Sequence, residues 1–199
     1  MEKHMLCLGD SLTEGYYDMG RSFHPYTIKL ETLLNKDETE TKEHWTIKNA
    51  GVSGACLMYT TGLPWLASTV AEVLTESKPY DAVVFMAGTN DLGSGRSADK
   101  IWKIWKMWKT MVTSVTQSFR TRCVVCTVPD SAARDPSLCK NRTLLNAKIR
   151  QWVEEIPQLT LVDVEHELPY SDKNGLWDDG LHFTPEGYDR VADLVFQCF

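Results

Sequence analysis

The chain has 199 residues and a net charge of −6, from 21 lysines and arginines against 27 aspartates and glutamates. This length suits one domain, expected over residues 1–199, and the acidic balance disfavours a nucleic-acid partner, because phosphate binding requires concentrated positive charge. No apolar run is long enough to span a bilayer, and the first residues enter a strand without a signal-peptide core, so we expect a cytoplasmic protein without integral membrane contact.

Short apolar segments alternate with helical segments along the chain. The apolar segments are rich in Val, Leu, Ile or aromatic residues, which is typical of central parallel strands. Strands are predicted over residues 3–8, 45–48, 82–87, 122–127 and 159–164. Helices are predicted over residues 26–34, 66–76, 100–119, 141–155 and 185–196. This alternation predicts an α/β fold in which right-handed crossovers place helices on both faces of a parallel sheet, as a three-layer α/β/α sandwich.

The first predicted strand runs into Gly9-Asp10-Ser11-Leu12. Glycines around a strand end permit a tight strand-to-helix turn, in which a serine hydroxyl stands exposed and backbone N–H groups point into the same space. Such a turn suits attack on an acyl carbon. Serine beside glycine and aspartate is also ordinary turn composition, so a base and an oxyanion site must be found elsewhere.

Candidate oxyanion donors follow the second and third predicted strands. The segments are Asn49-Ala50-Gly51-Val52-Ser53-Gly54 and Gly88-Thr89-Asn90-Asp91. Ligand sites in open parallel sheets gather at the carboxyl ends of the strands. The backbone N–H groups of Ser11 and Gly54 and the side-chain amide of Asn90 could therefore converge on a tetrahedral intermediate. Each segment alone is also common loop composition.

The helix predicted from residue 100 interleaves lysines with tryptophans. Its apolar residues recur at helical spacing, which favours a broad core face with lysine side chains along its edges. Basic amphipathic helices also adsorb to membranes or bind partner helices, and this alternative stays open for residues 100–119.

The six cysteines are scattered through the chain, which favours thiols over a disulfide framework. Cys123 and Cys126 have a metal-like spacing, but in a strand an odd separation sends side chains to opposite faces, so we predict no metal site. Cys56 is a candidate reactive thiol because it lies near the predicted oxyanion loop.

A candidate base lies near the end of the chain. Asp179 and His182 precede a predicted helix that starts with Thr184 as N-cap and Pro185 at the first helical position. An imidazole can accept the serine proton, and a carboxylate three residues earlier can hold its other nitrogen. The alternative is that both residues only shape the turn and cap the helix. His166, beside Asp163 and Glu165, is a weaker candidate base.

Taken in order, these four motifs resemble those of the GDSL, or SGNH, hydrolase family of esterases and lipases, and the resemblance spans nearly the whole chain. It implies Ser11 as nucleophile, Asp179 and His182 as its triad partners, and Ser11, Gly54 and Asn90 as the oxyanion hole. It also implies the SGNH hydrolase fold, with a flavodoxin-like five-stranded parallel sheet. No metal or organic cofactor is implied.

The sequence therefore predicts a serine esterase or acylhydrolase that cleaves a small-molecule carboxylic ester. An acyltransferase, a thioesterase, a lysophospholipase or a carbohydrate deacetylase could use the same triad, and a non-catalytic binding protein could use the same fold. We expect a short-chain acyl group, while the oligomeric state stays open. Candidate pocket walls lie in the loops around the motifs. They are Tyr16, Tyr17, Phe23, His24, Met58, Tyr59, Leu92, Trp177 and Phe183.

Overall fold

The computed structural model describes residues 1–36, 42–59, 61–75, 80–94, 99–117 and 121–199. The described strands are β1 Glu2–Gly9, β2 Tyr16–Tyr17, β3 Ser22–Phe23, β4 His44–Gly51, β5 Ala82–Met86, β6 Arg122–Cys126 and β7 Leu159–Val162. The described helices are α1 Ser11–Glu14, α2 Tyr26–Leu34, α3 Leu66–Leu74, α4 Thr89–Gly93, α5 Asp99–Gln117, α6 Pro136–Glu155, α7 Val164–Glu167 and α8 Pro185–Phe196.

Five strands form one parallel sheet in the order β4-β1-β5-β6-β7. The strand order reverses at β1, which lies between β4 and β5, so the β1 and β5 carboxyl ends border the crevice where α/β proteins bind ligands. The short strands β2 and β3 form a separate antiparallel pair. The predicted α/β class and flavodoxin-like order are confirmed.

Helices cover both faces of the sheet, as the alternating pattern predicted. Alternate β1 residues point to opposite faces: Leu6 and Leu8 join a core with α3, α5 and α6, whereas Met5 and Cys7 join a core with α2 and α8. β5 is buried along its whole length. Burial on both faces explains why the sequence of β5 is apolar throughout rather than alternating.

Several predicted element ends are wrong, including that of β4, which ends at Gly51 rather than at residue 48. Helix α6 begins at Pro136 rather than at residue 141, because Asp135 caps it by accepting the Leu138 N–H at 2.8 Å. The last strand ends at Val162, because Asp163 caps α7. The predicted ends of two other helices, residue 76 and residues 118–119, lie outside the described residues.

Helix α5 buries the predicted apolar face and leaves Trp102 outside it. Ile104, Trp108 and Met111 are buried against the sheet, whereas Trp102 is exposed. No described helix combines the length and the apolar character needed to cross a bilayer.

The cysteines lie mainly in the interior. Cys123 and Cys126 belong to the cores on opposite faces of the sheet, as their strand spacing predicted. Burial raises the pKa of Cys123 to about 12, so the thiolate is suppressed. Cys56 is also buried, and the interpretation of it as a reactive thiol is wrong, because an attacking thiolate must be accessible.

Candidate active site

The turn after β1 presents Ser11 at the start of a very short helix. Asp10 caps α1 by accepting the Leu12 N–H at 3.0 Å, and Gly15 ends the helix in the left-handed conformation with φ of 87°. At Gly9 a Cβ would lie 2.2 Å from the carbonyl oxygen of Met86, so only glycine fits between the two strands. Ser11 occupies the first helical position, where its N–H lacks an intrahelical acceptor.

Ser11, His182 and Asp179 form one continuous chain of hydrogen bonds. The Nε2 atom of His182 lies 3.0 Å from Ser11 Oγ, and Nδ1 lies 2.8 Å from Asp179 Oδ2. Burial of Asp179 opposes its ionisation, but hydrogen bonds from the backbone and ring of His182 and from the Leu181 N–H outweigh it and lower the pKa of Asp179. An ionised Asp179 favours the tautomer in which Nε2 is free to accept a proton.

The loop that carries Asp179 and His182 is held by the helix that follows it and by the segment after β6. Thr184 caps α8 by accepting the Gly187 N–H at 3.2 Å. On the other side, the Ala132 N–H donates to the carbonyl of Gly180 at 2.7 Å. Gly180 has a φ of 84°, and a Cβ there would lie 2.7 Å from the Cβ of Ala132. The ring of Tyr16 packs on His182 with centroids 4.4 Å apart, which limits ring motion.

The predicted oxyanion donors lie on loops that are tied to one another. The Nδ2 atom of Asn90 donates to the carbonyl of Ala55 at 2.9 Å, which uses one of its two N–H groups and leaves the other. The neighbouring Asp91 accepts the N–H groups of Leu57 and Met58 at 2.8 and 2.9 Å. These bonds hold α4 against the loop that contains Gly54, whose φ is 76°.

Two further side-chain contacts bind the nucleophile helix to β4 and to the loop after it. Glu14 accepts hydrogen bonds from both the N–H and the hydroxyl of Ser53, the residue before Gly54. Asn49 donates to the carbonyl of Thr13 at 2.8 Å. Neither role is predicted from the sequence. Glu14 lies two residues after the Gly9-Asp10-Ser11-Leu12 motif, and this closeness is the signal that could have identified it.

Asp10 is a buried carboxyl directly before the nucleophile. Its Oδ2 atom is buried and has no hydrogen-bond partner among the described residues. Burial, followed by the nearby charge of Asp91, raises the pKa of Asp10 from 3.8 to about 7, against the opposing hydrogen bond from the Leu12 N–H. Asp10 is therefore largely protonated in the folded protein below neutral pH.

A cavity of about 540 Å³ adjoins Asn90 and the loop of Asp179. It lies between α4, the segment after β6 and the start of α6, and its lining is mainly apolar. The apolar wall includes Leu63, Leu92, Val128, Leu138 and Leu181. Arg142 borders the cavity, but its guanidinium is already bonded to Asp130, Glu165 and Ser131. The cavity size is that of an ordinary small-molecule site.

The sequence model of the GDSL-like lipase/acylhydrolase family matches residues 7–190. The chain belongs to this family. An acetylxylan esterase from Xylanibacter ruminicola is 25% identical over 215 residues, which cover 95% of this chain and 41% of that protein. The chain thus spans about two fifths of the length of this curated relative.

Solved structures show the same fold. A lipase/acylhydrolase from Enterococcus faecalis superimposes with a TM-score of 0.71 at 22% identity, covering 98% of this chain and 94% of that one. A carbohydrate acetylesterase from Sinorhizobium meliloti gives a TM-score of 0.68 at 19% identity, covering 99% and 100% of the two chains.

Of the nine predicted wall residues in this GDSL-like structure, Leu92 lines the cavity described above. Phe183 and Trp177 are buried, with ring centroids 4.3 Å apart, and they flank the loop of His182. The ring of His24 binds Asp189 at 2.9 Å. The others are outside this cavity: Tyr16, which packs on His182, and Tyr17, Phe23, Met58 and Tyr59.

His166 is not brought to the site. The two carboxylates beside it, Asp163 and Glu165, bind Arg150 at 2.7 and 2.8 Å instead. Among the residues that the structure describes, no group of three or more His, Cys, Asp or Glu side chains is arranged to hold a metal ion.

Proposed function

We propose that this chain hydrolyses carboxylic esters through an acyl-enzyme on Ser11. One observation carries the proposal: the hydrogen-bond chain from Asp179 through His182 to Ser11, with distances of 2.8 and 3.0 Å. Family membership and the names of the relatives, which are esterases and acylhydrolases, support the same class of enzyme.

The reaction follows from the positions of the protons. Ser11 Oγ attacks the carbonyl carbon while Nε2 of His182 accepts the hydroxyl proton, and Asp179 stabilises the imidazolium that forms. Collapse of the tetrahedral intermediate breaks the bond to the alcohol, which leaves with the proton from Nε2. Water then attacks the acyl-enzyme with His182 again as base, and the carboxylic acid and free Ser11 are released.

The oxyanion would be held by the N–H groups of Ser11 and Gly54 and the amide of Asn90. The remaining Nδ2–H of Asn90 supports this role, because the other N–H fixes the amide on Ala55 at 2.9 Å. A donor held in this way needs no reorganisation when charge develops on the substrate oxygen.

The substrate is proposed to be a small ester with an apolar group for the cavity beside Asn90. The volume of about 540 Å³ exceeds what an acetyl group would fill. Two relatives are named for acetyl esters, which supports a short acyl group and leaves the cavity for the alcohol part. A series of nitrophenyl esters of increasing acyl length, an acetylated sugar and a thioester would test this assignment.

Ester hydrolysis by purified variants tests the function. Ser11→Ala and His182→Ala should lower turnover by up to ~10⁶, the loss seen when such units are broken. Ser68→Ala, a serine on the outer face of α3, is the matched control and should keep full activity. Near-normal hydrolysis by Ser11→Ala would exclude the acyl-enzyme, and ester formation with an added alcohol would identify an acyltransferase.

A further inference from the structure

Helices α5 and α6 carry a cluster of stacked indoles and lysines. The rings of Trp102 and Trp105 stack with centroids 5.0 Å apart. Three ammonium groups lie over their faces: Lys106 at 5.3 Å and Lys148 at 4.5 Å from Trp102, and Lys109 at 5.2 Å from Trp105. We refer to these five residues as the Trp-Lys surface.

The positive charge of this surface is not neutralised locally. Among the described residues, none of its three lysines forms an ion pair. The sequence of α5 contains one acidic residue, Asp99 at its first position, against four lysines. Indole faces attract an ammonium but leave its charge in place. A chain with a net charge of −6 therefore carries a local cationic area.

The surface is also amphipathic. Trp102 is 46% exposed, and Leu144, one turn before Lys148 on α6, is 43% exposed. Trp108 on the same helix is completely buried, so α5 places one indole in the core and another at the surface. Exposed tryptophan bordered by lysine is the composition that partitions into the headgroup region of bilayers.

The Trp-Lys surface and the cavity share helix α6. Helix α6 lines the cavity with Leu138, and Lys148 follows ten residues later, about 15 Å along the helix axis. Trp102 is in the first turn of α5. A bilayer bound there would contact the helix whose first turns line the cavity.

We propose that the Trp-Lys surface binds the surface of an anionic phospholipid bilayer. Its lysines contact lipid phosphates while Trp102 enters the headgroup layer, each lysine contributing about fivefold in affinity. Duplex DNA is a poorer fit, because DNA-binding proteins neutralise many phosphates and the overall negative charge opposes so extended a polyanion. The binding is independent of the proposed ester hydrolysis.

Vesicle sedimentation tests the proposal on the full chain. Vesicles contain phosphatidylcholine alone or equal parts of phosphatidylcholine and phosphatidylglycerol. We expect salt-sensitive binding only to the mixed vesicles, reduced at least ~30-fold in Lys106→Glu/Lys148→Glu. The control Lys36→Glu/Lys173→Glu makes the same charge change at exposed positions elsewhere and should bind nearly as the parent. Trp102→Ala should weaken binding several-fold without any charge change.

Four results would overturn the proposal. The first two are absence of binding to mixed vesicles and equal losses of binding in the two double variants. The third is binding of a DNA duplex with the same affinity as the vesicles, lost in Lys106→Glu/Lys148→Glu. The fourth is a dimer of the chain that only the Lys106→Glu/Lys148→Glu change disrupts. Hydrolysis of a water-soluble ester, measured on the same samples, should be unchanged in every variant. Failure of that hydrolysis in the parent chain would count against the proposed function alone.

Discussion

The carboxylate of Glu14 accepts two hydrogen bonds from Ser53, one from its backbone N–H at 2.8 Å and one from its hydroxyl. Glu14 ends the helix that Ser11 begins, and Ser53 directly precedes Gly54. The contact therefore links the proposed nucleophile to a proposed oxyanion donor, and it fixes their relative position through a charged acceptor.

Replacing Glu14 should reduce turnover more than substrate affinity. Hydrogen bonds to charged groups are worth about 1.5–3 kcal/mol, so Glu14→Gln should lower kcat about tenfold and Glu14→Ala further, with KM little changed. Ser53→Ala keeps the hydrogen bond from the backbone N–H and should lower kcat less than either Glu14 variant. Steady-state kinetics with thermal unfolding as a check would measure this. A loss of stability with unchanged kcat would mean that the contact is only structural.

Asn90→Ala should lower kcat by about 10²–10³, the usual loss for one oxyanion donor. Because the donor acts on charge that develops in the transition state, KM should change little. The variant also loses the bond to Ala55, so its folding must be verified by circular dichroism. An effect confined to KM would argue against an oxyanion role for Asn90.

The buried Asp10 should make stability fall with rising pH. Its pKa is 3.8 ordinarily and about 7 in the folded protein, so between these values the unfolded chain releases a proton that the folded chain keeps. The free energy of unfolding should then decrease by up to about 1.4 kcal/mol per pH unit over this window. Asp10→Asn keeps an acceptor for the Leu12 N–H and should flatten the slope in urea titrations. The control Asp172→Asn, at an exposed position, should leave the slope unchanged. An unchanged slope in Asp10→Asn would contradict the raised pKa of Asp10.

Gly180→Ala should displace the loop that carries Asp179 and His182. The added methyl would lie 2.7 Å from the Cβ of Ala132, in a residue with φ of 84°. We expect a kcat loss above about tenfold, since small misplacements of catalytic groups are costly. Gly175→Ala is the matched control, because its φ is also positive at 68° but nothing lies within 4 Å. Equal kinetics in both variants would show that strain alone, not the contact with Ala132, matters.

The parts of this fold that follow from local chemistry were accessible from sequence. Alternating apolar segments indicate a parallel sheet, and the motif order brings Ser11 and His182 together although 171 residues separate them. The start of α6 was missed because its first turn is exposed and lacks apolar periodicity, although Asp135-Pro136 is a recognisable N-cap signal.

The cavity wall could not be predicted in the same way. It depends on the segment after β6, which has no motif and reaches the site only because β6 lies beside β5. The aromatic residues on either side of Asp179 and His182, Trp177 and Phe183, belong to a buried core cluster. Whether an apolar residue lies in the core or lines a cavity depends on the packing of the whole domain, which the sequence pattern does not contain.

The most direct test of the account is intact-protein mass spectrometry after reaction with a fluorophosphonate, followed by peptide mapping. The account predicts one adduct per chain, located on Ser11, formed much more slowly by His182→Ala and absent from Ser11→Ala. An adduct on another residue, or no adduct on the folded chain, would contradict the assignment of Ser11 as the nucleophile.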